Sequence, residues 1–220
     1  MQVYCDFDGT ISLQDVTDHV LERLAGPQWE EIEALWAAGR IDSGTCMRQQ
    51  VALIRASREE LDRVLDTVKI DSGFANFAAL CAAEHIPLTI VSDGVDYFIR
   101  HVLKRHGLDS IPVIANRLLV SQAAGETVYA LASPYADSAC RAASGVCKCK
   151  VVKASGPRIY VGDGRSDFCV SDQPEIVFAK SKLAAYCRQS GIAFLPYDSF
   201  GDVAQSLRSL LPALRAGIAA

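Results

Sequence analysis

The sequence predicts an α/β protein with a doubly wound parallel sheet and a small all-helical cap inserted after the first strand. Short, nearly all-apolar segments, typical of buried parallel strands, alternate with helical stretches over most of the 220 residues. One interval, about residues 14–72, carries four successive helical patterns and no strand. We therefore expect a core of residues 1–13 and 73–220 and a cap of residues 14–72.

The first predicted strand ends in two carboxylates, Asp6 and Asp8. The valine, tyrosine and phenylalanine around them favour a strand, and Gly9 permits the turn that ends it. The acids therefore belong at the carboxyl end of a buried strand, where open α/β sheets bind ligands. Two acids with a glycine turn behind them indicate a site for a divalent cation and a phosphate.

The predicted cap consists of four short helices. Apolar residues recur at helical spacing from Asp15 onward, and Gly26-Pro27 ends the first helix. Ser43 is the expected cap of the third helix, and Ser57, followed by two glutamates, is expected to start the fourth. Four helices without a strand interrupt the β–α alternation, which is what an insertion between two strands produces.

The alternation resumes near residue 72. The later strands are predicted at Pro87–Ser92, Val113–Ala115, Leu118–Val120, Thr127–Ala130, Arg158–Val161, Ile176–Ala179 and Ala193–Leu195, the third and fourth of these forming a hairpin. Asp93-Gly94 is expected to turn the chain after the second strand of the protein. A helix is predicted at Asp137–Ala154 despite Gly145.

Polar side chains stand at the ends of three predicted strands. Asp6 and Asp8 follow the first, Ser92 ends the second, and Asp163 follows the strand at Arg158–Val161. Parallel strands of one sheet end at one edge, so these groups should meet there.

The chemistry that such a group of residues can perform is phosphoryl transfer. A carboxylate at a strand tip, such as Asp6, can act as the nucleophile. Asp8 can protonate the leaving oxygen and later activate water. Asp6, the backbone carbonyl of Asp8, and Asp163 offer the hard oxygen ligands that Mg²⁺ prefers.

Phosphate oxygens need donors of their own. Ser92, with the neighbouring Asp93 and Gly94, is predicted to hold them through its hydroxyl and nearby backbone N–H groups. A lysine from the helix before Arg158 is expected to neutralise charge on the transferring group.

Together these segments resemble the four motifs of the haloacid dehalogenase superfamily of phosphatases, whose core is Rossmann-like. The matching segments are D-F-D-G-T at 6–10, Ser92 at a strand end, a downstream lysine, and G-D-G-x-S-D at 162–167. The resemblance spans the whole chain and implies that Asp6 is the nucleophile and Asp8 the general acid and base. It also implies that Asp163 binds magnesium and that Asp167 supports the metal, directly or through water.

Within the superfamily, the helical insertion resembles the cap of the phosphoserine phosphatase-like branch. The segment G-V-C-K-C-K-V-V-K at 145–153 is similar to one in methionine-salvage 2-hydroxy-3-keto-5-methylthiopentenyl-1-phosphate phosphatases and in phosphoethanolamine/phosphocholine phosphatases. The segment at 176–187 also looks like the methionine-salvage group. This alignment makes Lys148 the phosphate-binding lysine, with Lys150 and Lys153 as alternatives because three lysines fall within six residues.

The resemblance implies a magnesium-dependent phosphatase that hydrolyses a small-molecule phosphate monoester through an aspartyl-phosphate. The candidate substrates are a methylthio-sugar phosphate of methionine salvage, phosphoserine, phosphoethanolamine and phosphocholine. Asp15 falls where phosphoserine phosphatases carry a glutamate that engages the substrate amine, and Arg48 resembles an arginine that meets the substrate carboxylate. A phosphotransferase and a non-enzymatic metabolite-binding protein are alternatives of other classes.

Composition excludes several other classes of protein. The net charge is −4, from 22 basic and 26 acidic residues, and no basic block suggests nucleic acid as a partner. No apolar run is long enough to span a bilayer, and no signal peptide is recognisable, so we expect no membrane partner and a cytoplasmic location.

Cysteine and tryptophan residues are expected to be packing residues. Cys140, Cys147 and Cys149 have the spacing C-x6-C-x-C, which lacks a C-x2-C pair, so clustered free thiols are favoured over zinc. Trp29 and Trp36 lie seven residues apart on one helix, and we expect them in the interior of the cap.

Overall fold

The computed structural model describes residues 1–140 and 142–216 and contains one seven-stranded sheet. The strands are β1 (Gln2–Cys5), β2 (Leu88–Val95), β3 (Val113–Ala123), β4 (Glu126–Ala132), β5 (Arg158–Gly162), β6 (Ile176–Ala179) and β7 (Leu195–Pro196). Their order is β4-β3-β2-β1-β5-β6-β7, and all pairs are parallel except the hairpin β3–β4. The predicted α/β fold class is confirmed.

The three strands that carry the candidate site residues are neighbours at the centre of the sheet. Cys5 of β1 is in register with Ile90 of β2 on one side and with Val161 of β5 on the other. The backbone N–H of Asp6 donates to the carbonyl of Val161 at 2.9 Å. The carboxyl ends of β1, β2 and β5 therefore lie at the same level of one edge, as the sequence predicted.

Four helices follow β1 before the sheet continues, and we call them the cap. They are α1 (Val16–Leu24), α2 (Gln28–Ala37), α3 (Ser43–Val51) and α4 (Arg58–Leu65). Ser57 caps α4 as predicted, through a reciprocal pair of hydrogen bonds with Glu60. The cap of α3 is Asp42 and not Ser43, because the Asp42 carboxylate accepts from the N–H of Thr45 at 2.6 Å.

The cap shares its hydrophobic core with the sheet. Val20, Leu21, Val51 and Ile54 from the cap are fully buried in the same cluster as Phe98 of the core. Burial of this apolar surface anchors the cap helices directly on the core. The limits 14–72 for the cap remain a prediction.

Five helices follow the cap: α5 (Phe74–Ala83), α6 (Asp96–Arg105), α7 (Lys148–Val151), α8 (Ser181–Ser190) and α9 (Phe200–Arg215). A short 3₁₀ turn also occurs at Arg165–Asp167. No helix within the described residues is long and apolar enough to cross a membrane.

The prediction of a helix over Asp137–Ala154 is wrong, since among the described residues of this segment only Lys148–Val151 are helical. Two backbone N–H groups in the middle of the segment have tertiary partners. The N–H of Val146 donates to the Asp93 carboxylate at 3.0 Å, and the N–H of Cys147 donates to the carbonyl of Tyr135 at 2.9 Å. Those donors are unavailable for helical i to i−4 bonds.

The second strand is longer than predicted. Asp93 and Gly94 belong to β2 and do not form the expected turn after it. The pairing register of β2 with β3 shifts between Val91 and Val95, so this stretch is an irregular part of the strand. Likewise, the two strands predicted between 113 and 120 form one continuous strand, β3, which makes the expected hairpin with β4.

Candidate active site

Asp6 stands directly after β1 at the floor of a large cleft. Its side chain is 5% exposed, and its Oδ1 atom accepts from the N–H of Phe7 at 2.8 Å. The ammonium of Lys148 also lies 2.8 Å from Oδ1. Oδ2 has no hydrogen-bond donor among the described residues, so this oxygen is the one available to a ligand. Burial, with the nearby Asp167 carboxylate, raises the pKa of Asp6 well above its usual value, while Lys148 opposes the rise.

Lys148 is the first residue of α7, and its side chain is completely buried. Its ammonium contacts Asp167 at 2.6 Å and Ser166 Oγ at 3.0 Å, in addition to Asp6. Burial lowers the pKa of Lys148, but the carboxylates of Asp167 and Asp6 more than offset this, so the pKa is raised and the lysine is charged.

The two alternative lysines do not reach this site. Lys150 is 57% exposed and pairs with Asp137 at 3.2 Å, and Lys153 is exposed. Of the three lysines that the sequence could not separate, the structure brings only Lys148 to the acids.

Asp8 lies beside the end of β2. Its Oδ1 atom accepts from the N–H of Val16, the first residue of α1, at 2.9 Å. Its Oδ2 atom accepts from the hydroxyl of Ser92 at 3.2 Å. Burial, with the charge of Asp15, raises the pKa of Asp8 to about 8. A carboxyl group that holds its proton near neutral pH is suited to donating it to a leaving oxygen.

Ser92 and Gly94 form the wall opposite Asp6. Ser92 is fully buried, and its Oγ accepts from the N–H of Gly94 at 2.9 Å. A Cβ atom at Gly94 would collide with the Asp8 carboxylate, so glycine is required for this close approach. Both residues line the cleft, but the Gly94 N–H is already used within the protein.

Asp93 was predicted to help bind phosphate, but its side chain has a structural role. Its carboxylate accepts from the hydroxyl of Ser43 at 2.9 Å and from the N–H of Val146 at 3.0 Å. Asn116 donates to the Asp93 carbonyl at 2.5 Å. This carboxylate therefore joins cap helix α3 to the core, and only the backbone N–H of Asp93 remains as a candidate phosphate donor.

Asp163 follows β5 and faces Asp6. Its Oδ1 atom accepts from the hydroxyl of Thr10 at 2.6 Å. Gly9 has φ +71°, and a Cβ atom there would lie 2.6 Å from Asp163 Oδ2, so only glycine fits. Burial raises the pKa of Asp163, with a further contribution from Asp167.

Asp167 is fully buried, and both of its oxygens have protein partners. Oδ1 contacts Lys148 and accepts from the Tyr160 hydroxyl at 2.5 Å. Oδ2 accepts from the N–H groups of Asp163 and Gly164 at 3.0 and 2.9 Å. With four donors already in place, Asp167 is better suited to orienting Lys148 and the 163–164 backbone than to direct metal ligation.

The acids of this edge fit a divalent metal ion. Carboxylate oxygens of Asp6, Asp163 and Asp167 lie within 4.8 Å of one another. The pKa values of Asp6 and Asp163 are raised by burial together with repulsion from the Asp167 carboxylate, which a bound cation would relieve. An all-oxygen donor set of this kind is the type that Mg²⁺ binds.

The cleft above these acids has a volume of about 850 Å³ and lies between the cap and the core. Among the described residues that line it, the cap contributes three carboxylates, from Asp15, Asp18 and Glu33, and neither lysine nor arginine. Burial, with the charges of Asp15 and Glu33, raises the pKa of Asp18 to about 7. The cap side of the cleft is therefore acidic and disfavours an anionic substituent there.

Of the predicted cap residues, Asp15 lines the cleft and Arg48 does not. Arg48 is exposed and donates to Thr45 Oγ1 at 2.9 Å on its own helix. The expectation for Trp36 is wrong, because this residue lines the cleft instead of the cap interior. Trp29 does pack against the main hydrophobic cluster, as predicted.

Three contacts hold the cap against the core beside the cleft. Ser43 donates to Asp93, the N–H of Gly44 donates to the carbonyl of Ala143 at 3.3 Å, and the guanidinium of Arg165 lies 5.1 Å from the centre of the Trp36 ring. Arg165 and Trp36 both line the cleft, so a cationic and an aromatic group lie together there.

Several supporting residues escaped the sequence analysis. Thr10 holds Asp163, and Tyr160 holds Asp167. Asp93 is held by Ser43 and Asn116. Thr10 is 153 residues away from its partner, and Ser43 acts from the cap. Thr10 alone had a usable signal, since it lies inside the D-x-D-G-T segment.

Comparisons with known proteins identify the family of this chain. Residues 3–171 match the family model described as haloacid dehalogenase-like hydrolase, and the chain belongs to this family. It is 29% identical to a 2-hydroxy-3-keto-5-methylthiopentenyl-1-phosphate phosphatase of Geobacillus kaustophilus (strain HTA426), over 94% of this chain and 96% of the relative. A protein of the same name from Bacillus mycoides (strain KBAB4) is 28% identical over 96% and 97% of the two chains.

Solved structures agree on the fold. A phospho-aspartyl intermediate analogue of phosphoserine phosphatase has a TM-score of 0.68 at 17% identity, covering 97% of this chain and 98% of the other. A substrate-bound phosphoserine phosphatase complex has a TM-score of 0.67 at 16% identity, with 97% coverage of both chains. The family and its phosphatase relatives make the chain a phosphoric monoester hydrolase.

Proposed function

We propose that this protein hydrolyses a small-molecule phosphate monoester with Asp6 as nucleophile, through an aspartyl-phosphate and with Mg²⁺ bound. The observation that carries the proposal is the pairing of two differently held carboxylates at one sheet edge. Asp6 is ion-paired to Lys148 and has one free oxygen, while Asp8 is held by Val16 and Ser92.

The first step is attack of Asp6 Oδ2 on the substrate phosphorus. The P–O bond to the alcohol breaks as the new acyl-phosphate bond forms. The contacts of Oδ1 with the Phe7 N–H and Lys148 fix the carboxylate, so its free oxygen is oriented before substrate arrives. Lys148 also lies close enough to Asp6 to offset the charge that gathers on the phosphoryl oxygens.

Asp8 supplies and recovers the proton. As a neutral acid it protonates the departing alkoxide, and as the resulting carboxylate it accepts a proton from the water that hydrolyses the aspartyl-phosphate. Its hydrogen bonds from Val16 and Ser92 fix the carboxyl group in the cleft that Asp6 also lines. The same group thus serves both half-reactions, and the enzyme returns to its starting state.

Asp6, the Asp8 backbone carbonyl and Asp163 would hold the metal, with Asp167 orienting them from behind. When bound, Mg²⁺ supplies positive charge that allows an anionic phosphate to approach an anionic carboxylate. The backbone N–H of Asp93 is a proposed donor to the remaining phosphate oxygens. The Ser92 hydroxyl, which donates to Asp8 in this structure, is proposed to turn from Asp8 to the phosphate. Lys148, whose ammonium contacts Asp6, Asp167 and Ser166, contributes positive charge.

For the alcohol part of the substrate we propose the methylthio-sugar phosphate of methionine salvage, since relatives of 28–29% identity carry that name over nearly their whole length. The cleft has apolar side chains that suit a methylthio group, among them Leu13, Trp36, Met47 and Phe168.

A second candidate is an amino-alcohol phosphate such as phosphoethanolamine or phosphocholine. The cap wall of Asp15, Asp18 and Glu33 favours a cationic substituent. It does not favour phosphoserine, whose carboxylate would meet three acids, while Arg48 lies away from the cleft.

Trapping the intermediate tests the central step. The full chain is mixed with Mg²⁺ and p-nitrophenyl phosphate, quenched in acid, digested and analysed by mass spectrometry. We expect one phosphoryl group on the peptide that contains Asp6, and none in the Asp6→Asn variant, which should also release no phosphate. Asp109→Asn, a change at an exposed site, is the control and should behave as wild type. Substantial turnover by Asp6→Asn would overturn the assignment of the nucleophile.

A further inference from the structure

Three cysteines meet beside the candidate active site. The sulfurs of Cys140 and Cys149 are 3.8 Å apart, and those of Cys147 and Cys149 are 3.2 Å apart. All three sulfurs lie within 4.8 Å of one another. The sequence predicted clustered thiols here, and the described residues between Cys140 and Cys147 contain no regular element.

A fourth thiol comes from another part of the chain. Cys169 follows the 3₁₀ turn after β5, and its sulfur donates to the carbonyl of Ser166 at 3.8 Å. It lies close enough to Cys140 and Cys149 to influence the pKa values of both thiols. The four residues belong to two segments that are separate in sequence, the loop with α7 and the turn that carries Asp167.

The sulfurs of Cys140, Cys147 and Cys149 are close enough together to bind one metal ion. A Zn–S distance of about 2.3 Å requires sulfurs about 3.8 Å apart in a regular tetrahedron, which is the separation of Cys140 and Cys149.

We propose that Cys140, Cys147, Cys149 and Cys169 bind a thiophilic divalent metal, Zn²⁺, in a closed structural site. Each thiol loses its proton as its sulfur becomes a ligand, so binding releases protons to solvent. Cys140 and Cys169 are partly exposed, which gives the ion a path from solvent. The site is separate from the oxygen-lined edge at Asp6 and Asp163, and hard Mg²⁺ would not compete for it.

Such a metal would position catalytic groups without touching the substrate. Lys148 lies between two of the ligands, Cys147 and Cys149, and Asp167 precedes Cys169 by two residues. The ion would therefore fasten together the two segments whose side chains form the Lys148–Asp167 ion pair. It would also brace the loop before α7, in which no regular element lies within the described part of residues 133–147.

The test is metal content and cobalt spectroscopy on the full chain. Protein purified under reducing conditions without chelator is expected to contain about one zinc per chain. Replacement by Co²⁺ should give the intense absorption of tetrahedral cobalt and thiolate-to-cobalt charge-transfer bands. Cys140→Ser and Cys149→Ser should each weaken zinc retention and change these bands, whereas Cys81→Ala, at a buried site on α5, should leave both unchanged.

Neither metal content nor cobalt absorption depends on catalysis, so the zinc site and the proposed hydrolysis are tested independently. Wild-type protein that is fully reduced and binds neither zinc nor cobalt would overturn the proposal. So would cobalt spectra that are the same in wild type and in Cys140→Ser. A disulfide between cluster cysteines that persists in the purified chain, together with the absence of metal after its reduction, would assign the cluster to redox chemistry instead.

Discussion

The ammonium of Lys148 lies 2.8 Å from the carboxylate of Asp6, and the two side chains are 0% and 5% exposed. A buried cation in contact with a buried carboxylate is stable only if both groups have further partners. Lys148 has them in Asp167 and Ser166. The proposed nucleophile is therefore held by a charge that cannot rotate away into solvent.

Replacing Lys148 by methionine should impair both catalysis and stability. We expect kcat/KM for p-nitrophenyl phosphate to fall by about 10²–10³-fold, because a donor to the transferring phosphoryl group is lost. Two buried acids would also lose their counter-charge, so the free energy of unfolding should fall by about 3 kcal/mol. Steady-state kinetics and urea unfolding measure the two effects.

Lys150→Met is the matched control for that variant. Lys150 lies two residues away, is 57% exposed and pairs only with Asp137 among the described residues. Its loss should change the free energy of unfolding by less than about 0.5 kcal/mol and leave kcat/KM unaltered. Equal losses in the two variants would show that Lys148 has no special part in the reaction.

Asp8→Asn should slow the reaction by a factor that depends on the leaving group. We expect kcat to fall by about 10²–10⁴-fold for an alkyl phosphate such as phosphoethanolamine, because its alkoxide needs a proton as it departs. Formation of the aspartyl-phosphate from p-nitrophenyl phosphate should be less affected, since nitrophenolate leaves without protonation. The phosphorylated Asp6 peptide should then accumulate in this variant, which the acid quench detects. An equal fall in the rate of aspartyl-phosphate formation from both substrates would argue against an acid role for Asp8.

Removal of divalent metal should stop turnover reversibly. We expect EDTA to abolish phosphate release and added Mg²⁺ to restore it, because Asp6 and Asp163 lie together at the proposed metal site and burial raises both their pKa values. Asp163→Asn should require more Mg²⁺ for half-maximal activity than wild type. The control is Asp198→Asn in the exposed turn before α9. Activity that persists after exhaustive chelation would contradict the proposed role of the metal.

The acidic cap wall should distinguish two substrates that differ by one carboxylate. We expect kcat/KM for phosphoethanolamine to exceed that for phosphoserine by at least about tenfold, because like charges brought together in a cleft repel. Glu33→Gln should narrow this ratio, whereas Glu30→Gln, on the exposed side of the same helix, should not. A preference for phosphoserine would mean that its carboxylate finds a cation such as Arg165 on the core side.

The sequence allowed the sheet and the position of the acids to be predicted because both follow from local rules. The apolar run before Asp6, the glycine turn after Asp8 and the G-D-G at 162–164 mark strand ends without reference to any tertiary contact. Once the strands are parallel, their ends must share an edge. Register at this edge then brings Asp6, Ser92 and Asp163 together.

The parts that could not be predicted depend on partners distant in sequence. Helical spacing favoured a helix at 137–154, but Asp93 and Tyr135 take the N–H groups of Val146 and Cys147. The choice among three lysines was open because only the tertiary position of Asp6 and Asp167 selects Lys148. Cys140, Cys147 and Cys149 were expected as clustered thiols, but the approach of Cys169 to them was missed for the same reason, since Cys169 comes from beyond β5.

The four hydrogen bonds that Asp167 accepts also bear on how this protein can vary. An asparagine of the same shape would turn a donor amide toward groups that are themselves donors, so even the closest neutral substitute leaves buried groups unpaired. The cap wall is less constrained, because Asp15 and Glu33 border an open cleft. Asp15 accepts from the N–H of Asp18 and Glu33 from the side-chain amide of Gln50, both at 3.0 Å. Substitutions in the cap can therefore change which alcohol group the protein accepts, while Asp167 and the residues that act on the phosphate stay the same.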